Sequence, residues 1–341
     1  MPNIHVLLVG AGTMGRVHAA AYAKLPDVSL VGIVDSDREA AEALARVHGV
    51  PATYSDLTTA LHDVACDVVD LCVPTHLHST YAVAAAERGK HVICEKPIAR
   101  TLDQARAMLD ACRTYGVQLL VGHVVRFFPN FVRAKALMES GRIGQVAVAR
   151  MFRGGQFPRG WDDWYRDVDR SGGVMLDLMI HDFDFLRWTF GPVARVYAKS
   201  VHDAAAPLAY ALCTLRFQSG VIAHVEGSWA HEGFSTRFEF AGSQGILEED
   251  SRYTAPLWVH ERASAATGRA ADGGGAAAGG VAVPLSPVFV NPYEAEIDHF
   301  IRVIRGEETP RVTAMDAYEA LRIALACAES AQTGRPVALG D

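Results

Sequence analysis

The first third of the chain repeats one pattern, in which a short apolar run is followed by a turn and then by a stretch of apolar residues at helical spacing. The run Ile4–Val9 leads into alanine-rich residues 16–25, and Val28–Val34 leads into helical residues 38–47. Residues 52–54 form a short strand, 57–61 follow it, and 68–73 have the near-continuous apolar character of a strand buried on both faces. Helix 77–88, strand 91–94, helix 102–115 and strand 117–121 complete the series. Strands alternating with helices demand a parallel, doubly wound α/β sheet, here of six strands. Ligands of such sheets sit outside the carboxyl ends of the strands.

After Gly122 the pattern changes. Helix 129–140 precedes a strand at 145–152 and a helix around 174–189. Strands of alternating or aromatic character follow at 193–200, Leu208–Phe217, 221–229, 235–241 and Leu257–Glu261. Such a run predicts an α+β second domain on an open-faced, mostly antiparallel sheet, so the chain divides into 1–122 and 123–341. Residues 268–280 are a glycine-alanine stretch of low complexity, read as a hairpin extension without chemistry. Two amphipathic helices close the chain, the second opening at Thr313-Ala-Met-Asp316 with the spacing of a capping box.

At 341 residues the chain suits two domains, and its 50% apolar content can fill two cores. The net charge of −7 supplies no basic footprint for nucleic acid or an anionic membrane. No CxxC spacing links the six cysteines, which read as reduced core thiols. The chain opens directly into a strand, and no run reaches a membrane span, so a cytoplasmic protein is expected.

The chemistry begins at Gly10-Ala-Gly12-Thr13-Met14-Gly15, between the first strand and the first helix. Gly10 permits the tight turn, Gly12 lets pyrophosphate approach the backbone, and Gly15 lets helix and strand pack closely. Asp35 ends the second strand 20 residues past Gly15, the spacing of a carboxylate that binds the adenosine ribose. Such a carboxylate repels a 2′-phosphate, which favours NAD over NADP, while Ser36 and Arg38 stand where they soften that preference.

Lys96, in Glu95-Lys96-Pro97 after the fifth strand, puts an amine at the mouth of this sheet. Asp177 and His181 stand four apart among apolar neighbours, which is costly for an acid and a histidine unless they are paired or used. Hydride removal from a secondary alcohol needs a group to take the hydroxyl proton. His181 can take it while Lys96 holds the oxygen and Asp177 orients the pair; the sequence leaves open which nitrogen acts. Pro74, Thr75, His76 and His78 follow the fourth strand near the nicotinamide half. His76 and His78 are also an H-x-H pair that Asp177 and His181 would complete as a metal site, although helix initiation is the favoured reading and no metal is expected. His123 and Arg126 follow the sixth strand, where the arginine either meets substrate hydroxyls or forms a salt bridge. Trp161, Trp164 and Tyr165 offer aromatic faces to a sugar or cyclitol ring, or anchor their own loop.

Together these motifs, with Gly122-His-x-x-Arg126-Phe127 and Gly172-Gly-x-x-x-Asp177-x-x-x-His181-Asp182, resemble the Gfo/Idh/MocA family over nearly the whole chain. The resemblance implies an N-terminal Rossmann domain and a C-terminal domain whose open sheet joins dimers or tetramers. It implies Lys96, Asp177 and His181 as the catalytic set, and substrates that are cyclitols, sugars and their keto forms. Asn is common in that family where Thr75 stands, and the 268–280 insert is not a family feature. An NAD-dependent dehydrogenase is the leading expectation. An NAD-dependent glycosidase of the same family and a non-catalytic NAD-binding protein are the alternatives.

Overall fold

The computed structural model describes residues 3–203, 208–253, 257–261 and 291–340. The low-complexity stretch 268–280 lies outside them. The Rossmann segment runs β1 (Ile4–Val9), α1 (Thr13–Tyr22), β2 (Val28–Val34), α2 (Arg38–His48), β3 (Thr53–Tyr54), α3 (Leu57–Asp63), β4 (Val68–Leu71), α4 (His78–Ala86), β5 (His91–Glu95), α5 (Leu102–Thr114) and β6 (Leu119–Gly122). Local chemistry sets the helix starts. Asp37, Asp56 and Thr101 accept the backbone N–H groups of Ala40, Thr59 and Gln104, and Gly49 ends α2 at φ 67°. All neighbours pair parallel in the order β3-β2-β1-β4-β5-β6. The order reverses between β1 and β4, which opens a crevice beyond their carboxyl ends.

The chain continues through α6 (Pro129–Glu139), β7 (Val146–Gln156), three short helices α7 (Val168–Ser171), α8 (Gly173–Asp177) and α9 (Ile180–Phe190), and strands β8 (Val193–Asp203), β9 (Leu208–Phe217), β10 (Ile222–Ser228), β11 (Ala230–Gly242), β12 (Gly245–Asp250) and β13 (Leu257–Glu261). Helices α10 (Pro292–Ile304) and α11 (Ala314–Thr333) and strand β14 (Val337–Ala338) end it. The second sheet has eight strands in the order β13-β12-β11-β7-β10-β9-β8-β14, antiparallel except for β7 with β10. The capping box at α11 is present, since Thr313 N–H donates to Asp316 Oδ2 and Asp316 N–H to Thr313 Oγ1, both at 3.0 Å. Among the described residues no helix is long and apolar enough to cross a membrane.

Two compact units result. The first gathers Met1–Phe127, Pro158–Asp184 and Val290–Leu325, and the second holds the remainder. The division at 122 follows the change of strand pattern, whereas the units follow packing. Ile297, Phe300 and Ile301 of α10 are buried against Ile4, Val6, Val68, Ile93 and Leu120 of the parallel sheet. Burying each such side chain stabilises by about 1.5–3 kcal/mol, which is why a helix remote in sequence belongs to the first unit.

The helix expected at 174–189 is two helices. The N–H groups of Leu178 and Met179 both point to the Val174 carbonyl at 3.0 Å, so the ladder widens between α8 and α9. Asp177 and His181 therefore do not sit one turn apart on a regular helix.

Within the second sheet, Glu249 of β12 is 2% exposed. Burial, with Asp250 beside it, holds its carboxyl up at about 8 although Arg153 opposes the shift. A raised acid keeps its proton when folded, so its stabilising effect is fully present below the ordinary value of 4.5 and is lost as pH rises toward about 8. Glu249→Gln keeps the shape without the charge, so its melting temperature is expected to fall less than that of the wild type between these values. Parallel melting curves against pH would contradict this.

Candidate active site

A cavity of about 230 Å³ lies wholly within the first unit, outside the carboxyl ends of its parallel strands. Gly10, Gly12, Thr13 and Met14 form its floor, and Asp35, Ser36 and Ser55 one end. Pro74, Thr75, Glu95, Lys96 and Asp177 form the other, with Arg159, Trp161, Trp164 and Tyr165 across it. A larger cavity, about 600 Å³, lies on the second sheet and holds none of the fingerprint.

The loop geometry fits a dinucleotide. A Cβ at Gly10, whose φ is +106°, would lie 2.2 Å from the Cys72 carbonyl oxygen, and one at Gly15 would lie 1.9 Å from that of Gly10. At Gly12 a Cβ would meet nothing within 4 Å, so that backbone is open toward the cavity. No side chain caps α1, so its first N–H groups are available to a phosphate. Asp35 buttresses the loop. Its Oδ2 accepts Ala11 N–H at 2.7 Å and its Oδ1 accepts Asp37 N–H at 2.8 Å, and each oxygen keeps a lone pair for a ribose hydroxyl.

Lys96 stands one residue past β5. Its Nζ donates to the Asp177 carbonyl at 2.7 Å and to Asp177 Oδ1 at 3.0 Å, where the widened turn presents both oxygens. Among the described residues these take two of the three ammonium N–H bonds, so one remains for a substrate oxygen. His181, half-buried in the first turn of α9, is not among the lining residues.

Other expected residues stand elsewhere. Arg126 does not reach the cavity. It grips Asp184 with two hydrogen bonds of 2.8 and 2.6 Å, and its Nη1 reaches the Arg311 carbonyl and Asp316 Oδ2 at 2.8 and 3.3 Å. His123 is fully buried, with Nδ1 3.8 Å from Asp184 Oδ2, and neither residue lines the cavity. Both ring nitrogens of His78 face backbone carbonyls, those of Pro97 and Val73, at 2.9 Å. His78 therefore ties the end of β4 to the Lys96-Pro97 corner and is not a lining residue, and its place argues against an H-x-H metal pair with His76. Arg38 pairs with Glu42 at 2.7 Å and lines a separate depression with Tyr54 and Ser55. Gly15 packs against Gly10 and is not itself a wall residue.

Trp164 is buried and lies against Tyr165, ring centroids 4.0 Å apart, while Trp161 is 62% exposed. Burial, with Asp177 and Glu95 nearby, raises the Tyr165 phenol far above its ordinary range, so it is a neutral hydrogen-bonding group. Arg159, Ser55 and Tyr81 were not among the residues expected here. They carry no spacing signal, and only the fold brings them to the cavity.

Fold and site together define an NAD(P)-dependent oxidoreductase with an NAD-binding Rossmann domain. The family model "Oxidoreductase family, NAD-binding Rossmann fold" matches residues 4–123, and the GFO/IDH/MocA C-terminal domain matches residues 131–248. The chain belongs to the Gfo/Idh/MocA oxidoreductase family. An uncharacterised oxidoreductase, YrbE of Bacillus subtilis (strain 168), is 31% identical over 347 residues, covering 97% of this chain and 95% of that one. The myo-inositol 2-dehydrogenase of Thermotoga maritima is 30% identical over 342 residues, covering 98% of each. A solved structure of levoglucosan dehydrogenase in complex with NADH and L-sorbose has a TM-score of 0.84 at 26% identity and covers 100% of each chain. The chain is thus of a family of NAD-dependent sugar and cyclitol dehydrogenases.

Proposed function

We propose that this protein oxidises a ring hydroxyl of a cyclitol or pyranose, with NAD as the hydride acceptor. The observation that carries the reading is the Lys96–Asp177 ion pair in the same cavity as the glycine loop and Asp35. When bound, the cofactor supplies the site that receives the hydride. Asp177 fixes the Lys96 ammonium, whose remaining N–H donates to the substrate oxygen and stabilises the negative charge that develops on it. In this reading Lys96 and His181 together give the acid-base assistance that takes up the hydroxyl proton, and the indole faces of Trp161 and Trp164 cover the ring. Pro74, Thr75 and Glu95 line the nicotinamide end.

The test is a screen of inositols, glucose, galactose and xylose with NAD, following NADH absorbance. Net NADH from a free polyol is the expected result. Glycoside cleavage without net NADH, or no turnover with any polyol, would overturn the reading. Because Asp35 both braces the loop and faces the ribose end, Asp35→Ala is expected to raise the KM for NAD by about tenfold. It should also narrow the preference over NADP, and unchanged values for both cofactors would contradict that role.

The same reading takes the protein as a homodimer or homotetramer joined through its second sheet, whose cavity exposes Phe152, Leu212 and Trp258. A single-chain mass by light scattering would refute this.

A further inference from the structure

Behind the cavity wall a chain of alternating charge runs from the core of the first unit to Lys96. His18 of α1 is 1% exposed, with Nδ1 2.8 Å from Asp70 Oδ2 and Nε2 3.2 Å from Glu95 Oε1. Glu95 Oε2 in turn accepts the Lys96 backbone N–H at 3.0 Å. Tyr22 also donates to Asp70 Oδ2 at 2.9 Å, and Cys72 Sγ lies 3.3 Å from His18 Nδ1. The sequence from core to cavity is Asp70, His18, Glu95, Lys96, Asp177. Asp70 and Glu95 are both buried, and two carboxylates removed from bulk solvent are stabilised by a shared counter-ion. His18 turns one ring nitrogen to each, Nδ1 hydrogen-bonded to Asp70 and Nε2 within ion-pair range of Glu95 though not aligned for a hydrogen bond. Gly122 of β6 completes the fit, since a Cβ there would lie 3.3 Å from Glu95 Oε1.

We propose that His18 is a positioning residue for Lys96: held by Asp70, it keeps Glu95 ionised and turned onto the Lys96 backbone, which fixes where the ammonium stands in the cavity. This rests on the reading of Lys96 as the group that holds the reacting oxygen.

Charge supports the geometry. Burial lowers the affinity of His18 for a proton, but Asp70 outweighs it and holds the imidazole well above its ordinary range. Burial likewise opposes ionisation of Glu95, and His18 with Lys96 outweighs it, so this carboxyl lies below its ordinary range. The other titratable groups facing this pair are Cys94 of β5, His78 of α4, His123 after β6, Tyr165 and Glu296 of α10. Burial raises Cys94, Tyr165 and Glu296 and lowers His78 and His123, so all five are held neutral. They leave His18 as the cation between the two carboxylates.

His18→Gln keeps hydrogen-bonding capacity without charge. Glu95 then takes up a proton at higher pH, so the acidic limb of kcat/KM is expected to move up by about one pH unit or more. Turnover at neutral pH should fall roughly ten- to a hundredfold, while NAD affinity measured by calorimetry stays the same. Glu95→Gln should reproduce the loss, and the double variant should be no worse than the poorer single one. An unmoved limb, or additive losses, would assign His18 to packing alone and overturn the proposal. Nitrogen shifts of the His18 ring in the wild type give a readout that needs no variant. Both nitrogens protonated at neutral pH is the expected result, and a neutral ring overturns the proposal. If Lys96→Ala keeps full turnover, the functional reading itself fails; if Lys96→Ala is inactive and His18→Gln is unchanged, only this inference fails.

Discussion

Lys96→Ala is expected to lower kcat/KM for the preferred polyol by about a hundredfold or more, with NAD affinity little changed. The ammonium touches Asp177 through two of its hydrogen bonds and offers the third to the cavity. On the proposed mechanism, removing it takes away the donor aimed at the reacting oxygen, whose negative charge grows as its proton leaves and is discharged as hydride departs. The loss therefore falls on turnover more than on substrate affinity. The glycine loop and Asp35 do not depend on it, so the binding isotherm for NAD should keep its midpoint. Asp177 is already 13% exposed beside Lys96 and can take up water in its place, which keeps the variant folded.

Arg126→Ala is expected to be the most damaging single change to stability, by about 3–5 kcal/mol, because it strands a buried charge. Asp184 is 1% exposed and both its oxygens are held by the guanidinium. Arg126→Lys should recover only part of the loss, since an ammonium lacks the planar fork that meets both oxygens. Denaturant unfolding measures the effect. A second readout separates this role from substrate recognition: the KM for polyol of whatever protein remains folded should match the wild type. A raised KM with normal stability would restore Arg126 to the substrate site.

The parallel sheet and its crevice were legible because their signals are local. Unbroken apolar runs, the glycine spacing and the 20-residue interval to Asp35 need no knowledge of distant contacts. The second sheet was legible in kind but lost β12, whose sequence Gly-Ile-Leu-Glu-Glu-Asp points Ile246 outward and buries Glu249, against the expected alternation. The break between α8 and α9 left no mark, since no glycine or proline falls at Leu178–Met179. Arg126 was readable as either a ligand or an ion pair, and only the position of Asp184, 58 residues later, decides it. Asp70 did carry a signal. A lone acid inside the apolar run of β4 is costly unless paired, and its partner His18 sits in an alanine-rich helix where nothing else explains an imidazole.

If Lys96 acts on the reacting oxygen within an NAD-dependent oxidation, its removal must slow the first hydride transfer itself. The most direct test mixes the NAD-loaded wild type and the NAD-loaded Lys96→Ala variant with the best polyol from the screen and follows the first turnover by NADH absorbance. A rapid rise of NADH is expected for the wild type and a rise slowed by about a hundredfold or more for the variant, at equal NAD occupancy. Equal first-turnover rates would contradict it.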